Sequence, residues 1–306
     1  TGMLTDSGAL SDIGTGITFG GSDLARRDYL QHSRVQEYEA DMTAISLMES
    51  TGQSSIGLLD MLEKIKNSQQ VYASDVNPLE LTHELPQERI NFLKNKISTQ
   101  RYYKAEESKE LIHRHNLARA KIIGYLNLPN KFAAGSIYSM YSSAISYYQK
   151  GKYELAESIM INLIEEFKYA YFYELLSQIY FEINEYELAL ENLNRGIELL
   201  DQPELEFSIL NAKILTSIGG HENVLEGVTI LEAHKDQTLK NVRVYWQLSK
   251  SYFELNNIPM ADLSVAQYYS ILGNKDRAKS FAQRAKDGLT PYTSDWLMAD
   301  DIQNIN

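Results

Sequence analysis

The sequence predicts an all-α chain, and three observations carry that expectation. Apolar residues recur at spacings of three and four, the period of a helix face rather than of a strand. The tetrapeptide Tyr153-Glu154-Leu155-Ala156 returns unchanged as Tyr186-Glu187-Leu188-Ala189, a shift of 33 residues. Leu176-Ser177 with Tyr180-Phe181-Glu182 and Asn184 returns as Leu248-Ser249 with Tyr252-Phe253-Glu254 and Asn256, a shift of 72, or two steps of 36. A recurrence of that length fits one pair of helices per repeat.

The elements follow in chain order. Gly2, Gly8, Gly14, Gly16, Gly20 and Gly21 crowd the start of a chain that holds 17 glycines in all. Glycine backbone loses the most entropy on ordering, so residues 14–22 are expected to form a loop. From Arg34 onward Val35, Tyr38, Met42, Ile45 and Met48 mark a helix face, and Gly52 sits where a helix stop belongs. A second helix is expected from Ser55 to Ser68. A polar connection containing Pro78 and Pro86 follows, and helices resume near Gln87.

Beyond about residue 100 the repeats take over. A period near 34 residues, with Gly before Tyr and a small Ala one turn later, resembles the tetratricopeptide (TPR) repeat. The small residue belongs where the two helices of a repeat cross closely, since a larger one would push them apart. Gly151-Lys152-Tyr153 and Gly273-Asn274-Lys275 read as turns between paired helices, and four to five repeats are expected. Such an array is quasi-one-dimensional and leaves a concave groove. Tyr138, Tyr141, Tyr147, Tyr148, Tyr169, Tyr171 and Tyr173, among 21 tyrosines, supply large contact area with a polar tip. Most are expected to pack between helices, and a minority to face a ligand. The array alone implies protein or peptide binding.

Composition narrows the chemistry. The 306 residues (34.9 kDa) carry 41 acidic and 29 basic side chains, a net charge of −12, and no cysteine. A disulfide scaffold, a thiolate zinc site and a thiol nucleophile are thereby excluded. Acidic balance argues against binding a phosphate backbone, which draws on clustered Lys and Arg. No apolar run approaches the roughly 18–20 residues of a membrane span. Gly14-x-Gly16 lacks the spacing and the Lys of a nucleotide loop, and no Ser-His-Asp arrangement is legible.

One stretch carries chemistry. Glu37 and Asp41 are four apart, hence one above the other on a helix, where like charges repel. The pair calls for a positive partner: a metal, an imidazole or an arginine. Taken alone, the plainer reading is a solvated acidic edge.

The neighbouring residues add a resemblance. Arg34-x-x-Glu37-x-x-Ala40-Asp41, then Leu47-Met48 and Gly52, is similar to the third-ligand helix of the HExxH zinc metallopeptidases of the CAAX-prenyl-protease-like family, in its bacterial TPR-tailed branch. The resemblance implies that Glu37 is the third zinc ligand and that Asp41 orients a ligand histidine. Carboxylate oxygen beside two imidazoles suits zinc, and outer carboxylates fix imidazole tautomers. Thr82-His83-Glu84-Leu85-Pro86-Gln87-Glu88-Arg89-Ile90 resembles the family's T-H-P-x-x-x-x-R-I segment. Ser294-Asp295-Trp296-Leu297-Met298-Ala299-Asp300-Asp301-Ile302 resembles its tryptophan-containing end. His83 is then a cleft or regulatory metal ligand, its alternative being a loop histidine bonded to backbone. Glu84 departs from the family's proline, and Gln53-Ser54-Ser55 from its aromatic-Asp-Pro. The other histidines lack partners at ligand spacing.

One departure outweighs these. No HExxH occurs: His83-Glu84 is followed by Leu-Pro-Gln and His221-Glu222 by Asn-Val-Leu. Zinc is therefore expected in the complete protein and not in this chain, which should be inactive. Thr1 to Ile13 resembles the segment that runs into the HExxH helix, so a segment carrying that motif is expected to be missing at or near Ile13–Gly14. The competing expectation is a degenerate relative that has lost catalysis. No basic-then-apolar leader opens the chain, so either the protein is cytoplasmic or an N-terminal piece is absent. The opening Thr1, with no initiator methionine, favours the second, and a longer, exported protein is expected.

The resemblance thus implies a partial zincin-type metallopeptidase domain over residues 1–98 and a TPR superhelix over 99–306. The parent would be a periplasmic zinc endopeptidase of envelope quality control. Its TPR groove would bind protein substrates, outer-membrane proteins and their assembly machinery among them, with no nucleic acid and no transmembrane span. The alternative is a non-catalytic TPR interaction scaffold.

Overall fold

The computed structural model describes residues 35–70, 86–234 and 241–304, and every regular element among them is a helix. The chain divides into two compact units, residues 1–113 and 114–306. The glycine-rich stretch, the Ile13–Gly14 junction, the Pro78 connection and His83 lie outside the described residues.

In the first unit α1 spans residues 35–50, α2 Ile56–Gln70 and α3 Pro86–Ile97. The α1 stop works as its sequence suggests. Gly52 takes a left-handed φ of 71°, and the Gln53 N–H donates back to the Met48 carbonyl at 2.8 Å. Pro86 opens α3, where its missing N–H costs nothing. On α3, Ile90, Leu93 and Ile97 share one face. They close a core with Ile45, Leu59 and Leu62. The segment after α3 returns to the α1–α2 turn: Ser55 Oγ donates to Gln100 Oε1 at 3.0 Å and Ser54 Oγ to the Tyr103 carbonyl at 2.7 Å.

The division between units falls inside α4 (Lys109–Tyr125). The second unit continues with α5 (Ile137–Gln149), α6 (Tyr153–Glu166), α7 (Ala170–Glu182), α8 (Tyr186–Ile197) and α9 (Leu205–Ile218). It ends with α10 (His221–Glu232), α11 (Val242–Glu254), α12 (Ile258–Ile271), α13 (Lys275–Gly288) and α14 (Ser294–Gln303). From α5 on, each helix packs against the next in the chain, and α5–α7, α7–α9 and α9–α11 also touch. This is the stacking of helix-hairpin repeats, in which each pair buries its apolar face against its neighbours.

One local device recurs along the stack. Gly151, Asn184, Asn256 and Gly273 all adopt left-handed φ, between 56° and 73°. In each case the following N–H donates to a tyrosine carbonyl five residues back, at Tyr147, Tyr180, Tyr252 and Tyr269, each at 2.9 Å. That bond closes a Schellman turn. Three residues before each tyrosine stands a buried small residue: Ala144, Ser177, Ser249 and Ala266. Opposite them on the partner helices lie Ala156, Ala189, Ala261 and Ala278, also buried. Ser177 Oγ donates to the Ala189 carbonyl at 2.7 Å, which measures how closely the two backbones cross. The repeated Tyr-Glu-Leu-Ala therefore marks the start of the second helix and its contact with the first.

The four turns are not evenly spaced. Those at Asn256 and Gly273 flank the same helix, so α12 is second helix to α11 and first helix to α13. The contact between helices two apart accordingly changes phase, from α9–α11 to α12–α14.

Candidate functional site

The sequence asks for a cation beside Glu37 and Asp41, and α3 supplies one. Arg89 Nε donates to Asp41 Oδ2 at 2.9 Å and Nη2 to Asp41 Oδ1 at 2.7 Å. Its Nη1 lies 2.8 Å from Glu37 Oε2. The fork of a guanidinium matches a carboxylate in this two-point manner, which a lysine ammonium cannot do. Asp41 is only 4% exposed, so its charge depends on that pairing. Of the three partners the spacing allows, the arginine is the one the described residues bring. Arg89 stood inside the Thr82–Ile90 motif without an assigned role. Its neighbour Ile90, buried in the core, is the signal that turns Arg89 toward α1.

The described residues fit a zinc ion poorly. They place one expected ligand, Glu37, with an oxygen already held by Arg89. Among them no group of three His, Cys, Asp or Glu side chains is placed to hold a metal. His83 lies outside the described residues, so its role as a cleft ligand stays an expectation.

The second unit carries a groove of about 790 Å³ between α9, α11, α12 and α13, with Tyr186 at its rim. Aromatic side chains share its surface with polar ones, Ser217 and Ser249 among them. Trp246 is 45% and Phe253 63% exposed, on one face of α11. Tyr269 and Phe281 stack at 5.8 Å and form the far wall, with Arg277 and Arg284 lying over their rings. Asp262 enters the same wall and pairs with Arg284 at 2.9 Å. Burial pushes its carboxyl above the usual range, and Arg284 only partly opposes that.

Ion pairs link helices two or three apart in this unit. Lys121 reaches Glu174 at 2.9 Å, Lys213 reaches Glu182 at 3.7 Å, and Arg243 is paired with Glu206. Burial lowers Lys213, with Glu182 opposing and the nearby Lys250 reinforcing the shift. Several of the tyrosines pack between helices, as expected. Tyr141 is buried in the core, and Tyr171 donates to Glu204 at 2.7 Å. Burial pushes the phenols of Tyr125 and Tyr180 up to about 12, so they remain neutral donors.

Fold and sites together define an all-helical protein with a buried carboxylate–arginine cluster in its first unit and a groove-bearing stack of helix pairs in its second. No protein-family model matches the chain. Curated relatives do, all named beta-barrel assembly-enhancing protease. The protein of Escherichia coli (strain K12) is 23% identical over 274 residues, covering 85% of this chain and 54% of the relative. That of Shigella flexneri gives the same figures. The Yersinia pestis protein is 22% identical over 205 residues, covering 62% of this chain and 41% of the relative. The relation therefore runs through most of the chain, which spans about half the length of the relatives it matches. Among the described residues no helix is long and apolar enough to cross a membrane.

Proposed function

We propose that this chain is the client-binding part of a protein akin to the beta-barrel assembly-enhancing protease. The complete protein is, on this reading, a periplasmic zinc-dependent endopeptidase serving the quality control of outer-membrane proteins. Residues 1–98 contribute to its metallopeptidase domain and residues 99–306 form a TPR domain that holds protein substrates or assembly partners. The observation that carries the reading is the similarity over 85% of the chain, which reaches into both units. Glu37 is then one ligand of a zinc site whose histidines lie on an HExxH helix absent from this sequence. Asp41 orients one of those histidines, and His83 borders the cleft. Zinc enters only with that helix, so the chain as given binds clients without cleaving them.

The second reading, a non-catalytic scaffold, draws support from Arg89. One guanidinium engages both carboxylates, so the first unit needs no metal to satisfy them.

Two experiments separate the readings. The 306-residue chain should bind an unfolded outer-membrane β-barrel protein diluted from urea and leave casein intact. The gene product with an HExxH segment restored should bind about one zinc and cleave casein, with cleavage lost and binding kept on Glu37→Gln. A restored protein that binds no zinc overturns the protease reading. A 306-residue chain that binds no unfolded client overturns the client-binding reading.

A further inference from the structure

Among the described residues, charges along the first helices of the pairs are matched across to neighbouring helices at Glu174, Glu182, Glu206, Lys213 and Arg243, whereas no such ion pair reaches Lys250 or Glu254 on α11. Lys213 stands six residues before the left-handed Gly219, and Lys250 six before the left-handed Asn256, so the two are equivalent on α9 and α11. Lys213 finds Glu182, two residues before Asn184 on the preceding first helix. The equivalent position facing Lys250 is Ser217, which carries no charge. Among the described residues no carboxylate pairs with Lys250, whose ammonium lies 5.5 Å from the centre of the Trp246 ring. Asp262, across the groove, is already paired with Arg284. The remaining carboxylate in the groove is Glu254, one turn beyond Lys250.

Trp246, Lys250 and Phe253 form a single stripe, at i, i+4 and i+7 on α11. Helical rise separates them by roughly 6 Å and then 4.5 Å along the axis. In an extended chain, side chains on one side recur about every 6.6 Å. The two repeats are close enough for successive same-side residues of an extended peptide to meet ring, ammonium and ring in turn. Both rings are exposed, and both line the groove.

We propose that this stripe docks an extended peptide segment whose alternate residues are apolar, acidic and apolar. The acidic side chain pairs with Lys250, and the flanking side chains cover Trp246 and Phe253. The inference deepens the client-binding reading above and rests on it: it names the kind of segment the groove reads. The occupant is the interior of a chain, not its end, since the stripe places a ring on either side of the ammonium and so takes apolar side chains both before and after the acidic one.

The test uses the 306-residue chain and capped peptides, acetylated and amidated, with the pattern Phe-Ser-Asp-Ser-Phe between Gly-Ser spacers. The same peptides with Asn or Lys at the centre, and an uncapped apolar peptide with a free C-terminus, complete the set. Quenching or enhancement of tryptophan emission reports binding. The Asp peptide should bind about threefold more tightly than the Asn peptide and about tenfold more tightly than the Lys peptide, the differences shrinking with salt. Lys250→Glu should invert the order, so that the Lys peptide binds best. Glu254→Gln should tighten the Asp peptide. Both residues are on an exposed helix face, so neither change threatens folding, and the inverted preference would itself show a folded groove. Equal affinity for the three capped peptides, no binding of any of them, or binding of the free C-terminus alone overturns the proposal. If the wild-type chain holds unfolded clients while Lys250→Glu leaves peptide preference unchanged, the client-binding reading stands and this one falls.

Discussion

Arg89 ties together two helices through one side chain. It engages both carboxylates of α1, and Asp41 is nearly without solvent. Removing one member of a buried pair strands the other charge, at a cost of about 3–5 kcal/mol, whereas replacing the pair by apolar groups costs far less. Arg89→Met is therefore expected to destabilise the first unit by about 3 kcal/mol, and Arg89→Met with Asp41→Leu to recover most of it. Hydrogen exchange in α1 and α3 reads both changes. Equal loss in the single and double variants would mean that the arginine acts by packing alone. Asp262 gives a pH-dependent counterpart. Its folded carboxyl titrates above its usual value of 3.8, because burial disfavours the charge more than Arg284 favours it. The folded state thus binds the proton more tightly than the unfolded state. Asp262 costs nothing while protonated in both states, and its cost grows as pH rises from about 4 through the folded value. Asp262→Asn should raise stability at pH 7 by up to about 1 kcal/mol and change little at pH 4, with thermal unfolding as the measurement. Residue-level legibility was partial. The i,i+4 spacing demanded a cation at Glu37 and Asp41, but the partner is 48 residues away from Asp41 and no local period points to it.

Helices were legible where their faces were periodic and their ends were punctuated by glycine. The expected α2, Ser55 to Ser68, runs from Ile56 to Gln70, and the expected restart near Gln87 comes at Pro86. Gly151 and Gly273 announced their turns. Asn184 and Asn256 did not, although the sequence comparison had already aligned them. Asparagine tolerates the left-handed region through its short polar side chain, so it substitutes for glycine at the end of a helix. A residue with a plain Cβ does not do so at the same cost. Asn256→Ala is expected to destabilise the second unit by about 1 kcal/mol and Asn256→Gly by a few tenths at most or not at all. Circular dichroism during thermal unfolding distinguishes the two. Equal losses for Ala and Gly would point instead to the side-chain amide as the stabilising group.

At the scale of the whole molecule, the all-α character and the stacked helix pairs were readable because an identical tetrapeptide fell in phase with a second recurrence. The phase change at α12 was written in the same numbers. Asn256 and Gly273 are half a repeat apart, yet Gly273-Asn274-Lys275 read as one more turn of the regular kind. What hid it is that α12 satisfies both roles with separate residues, Ala261 toward α11 and Ala266 toward α13. The groove follows from that arrangement. Tyr269 and Phe281, on the helices past the phase change, rise as a wall beside α11.

That doubled helix also gives the stack a direction of growth. Upstream of α11, whole helix pairs meet their neighbours through equivalent surfaces, so duplication or loss of a pair leaves compatible faces on both sides. At α12 no such cut exists. Any unit inserted there would have to present a first-helix face and a second-helix face on one strip of sequence, as Ala261 and Ala266 do within two turns. Lineages of this protein should therefore vary in the number of pairs between α4 and α11 and keep the run from α11 to α14 intact as a single inherited block.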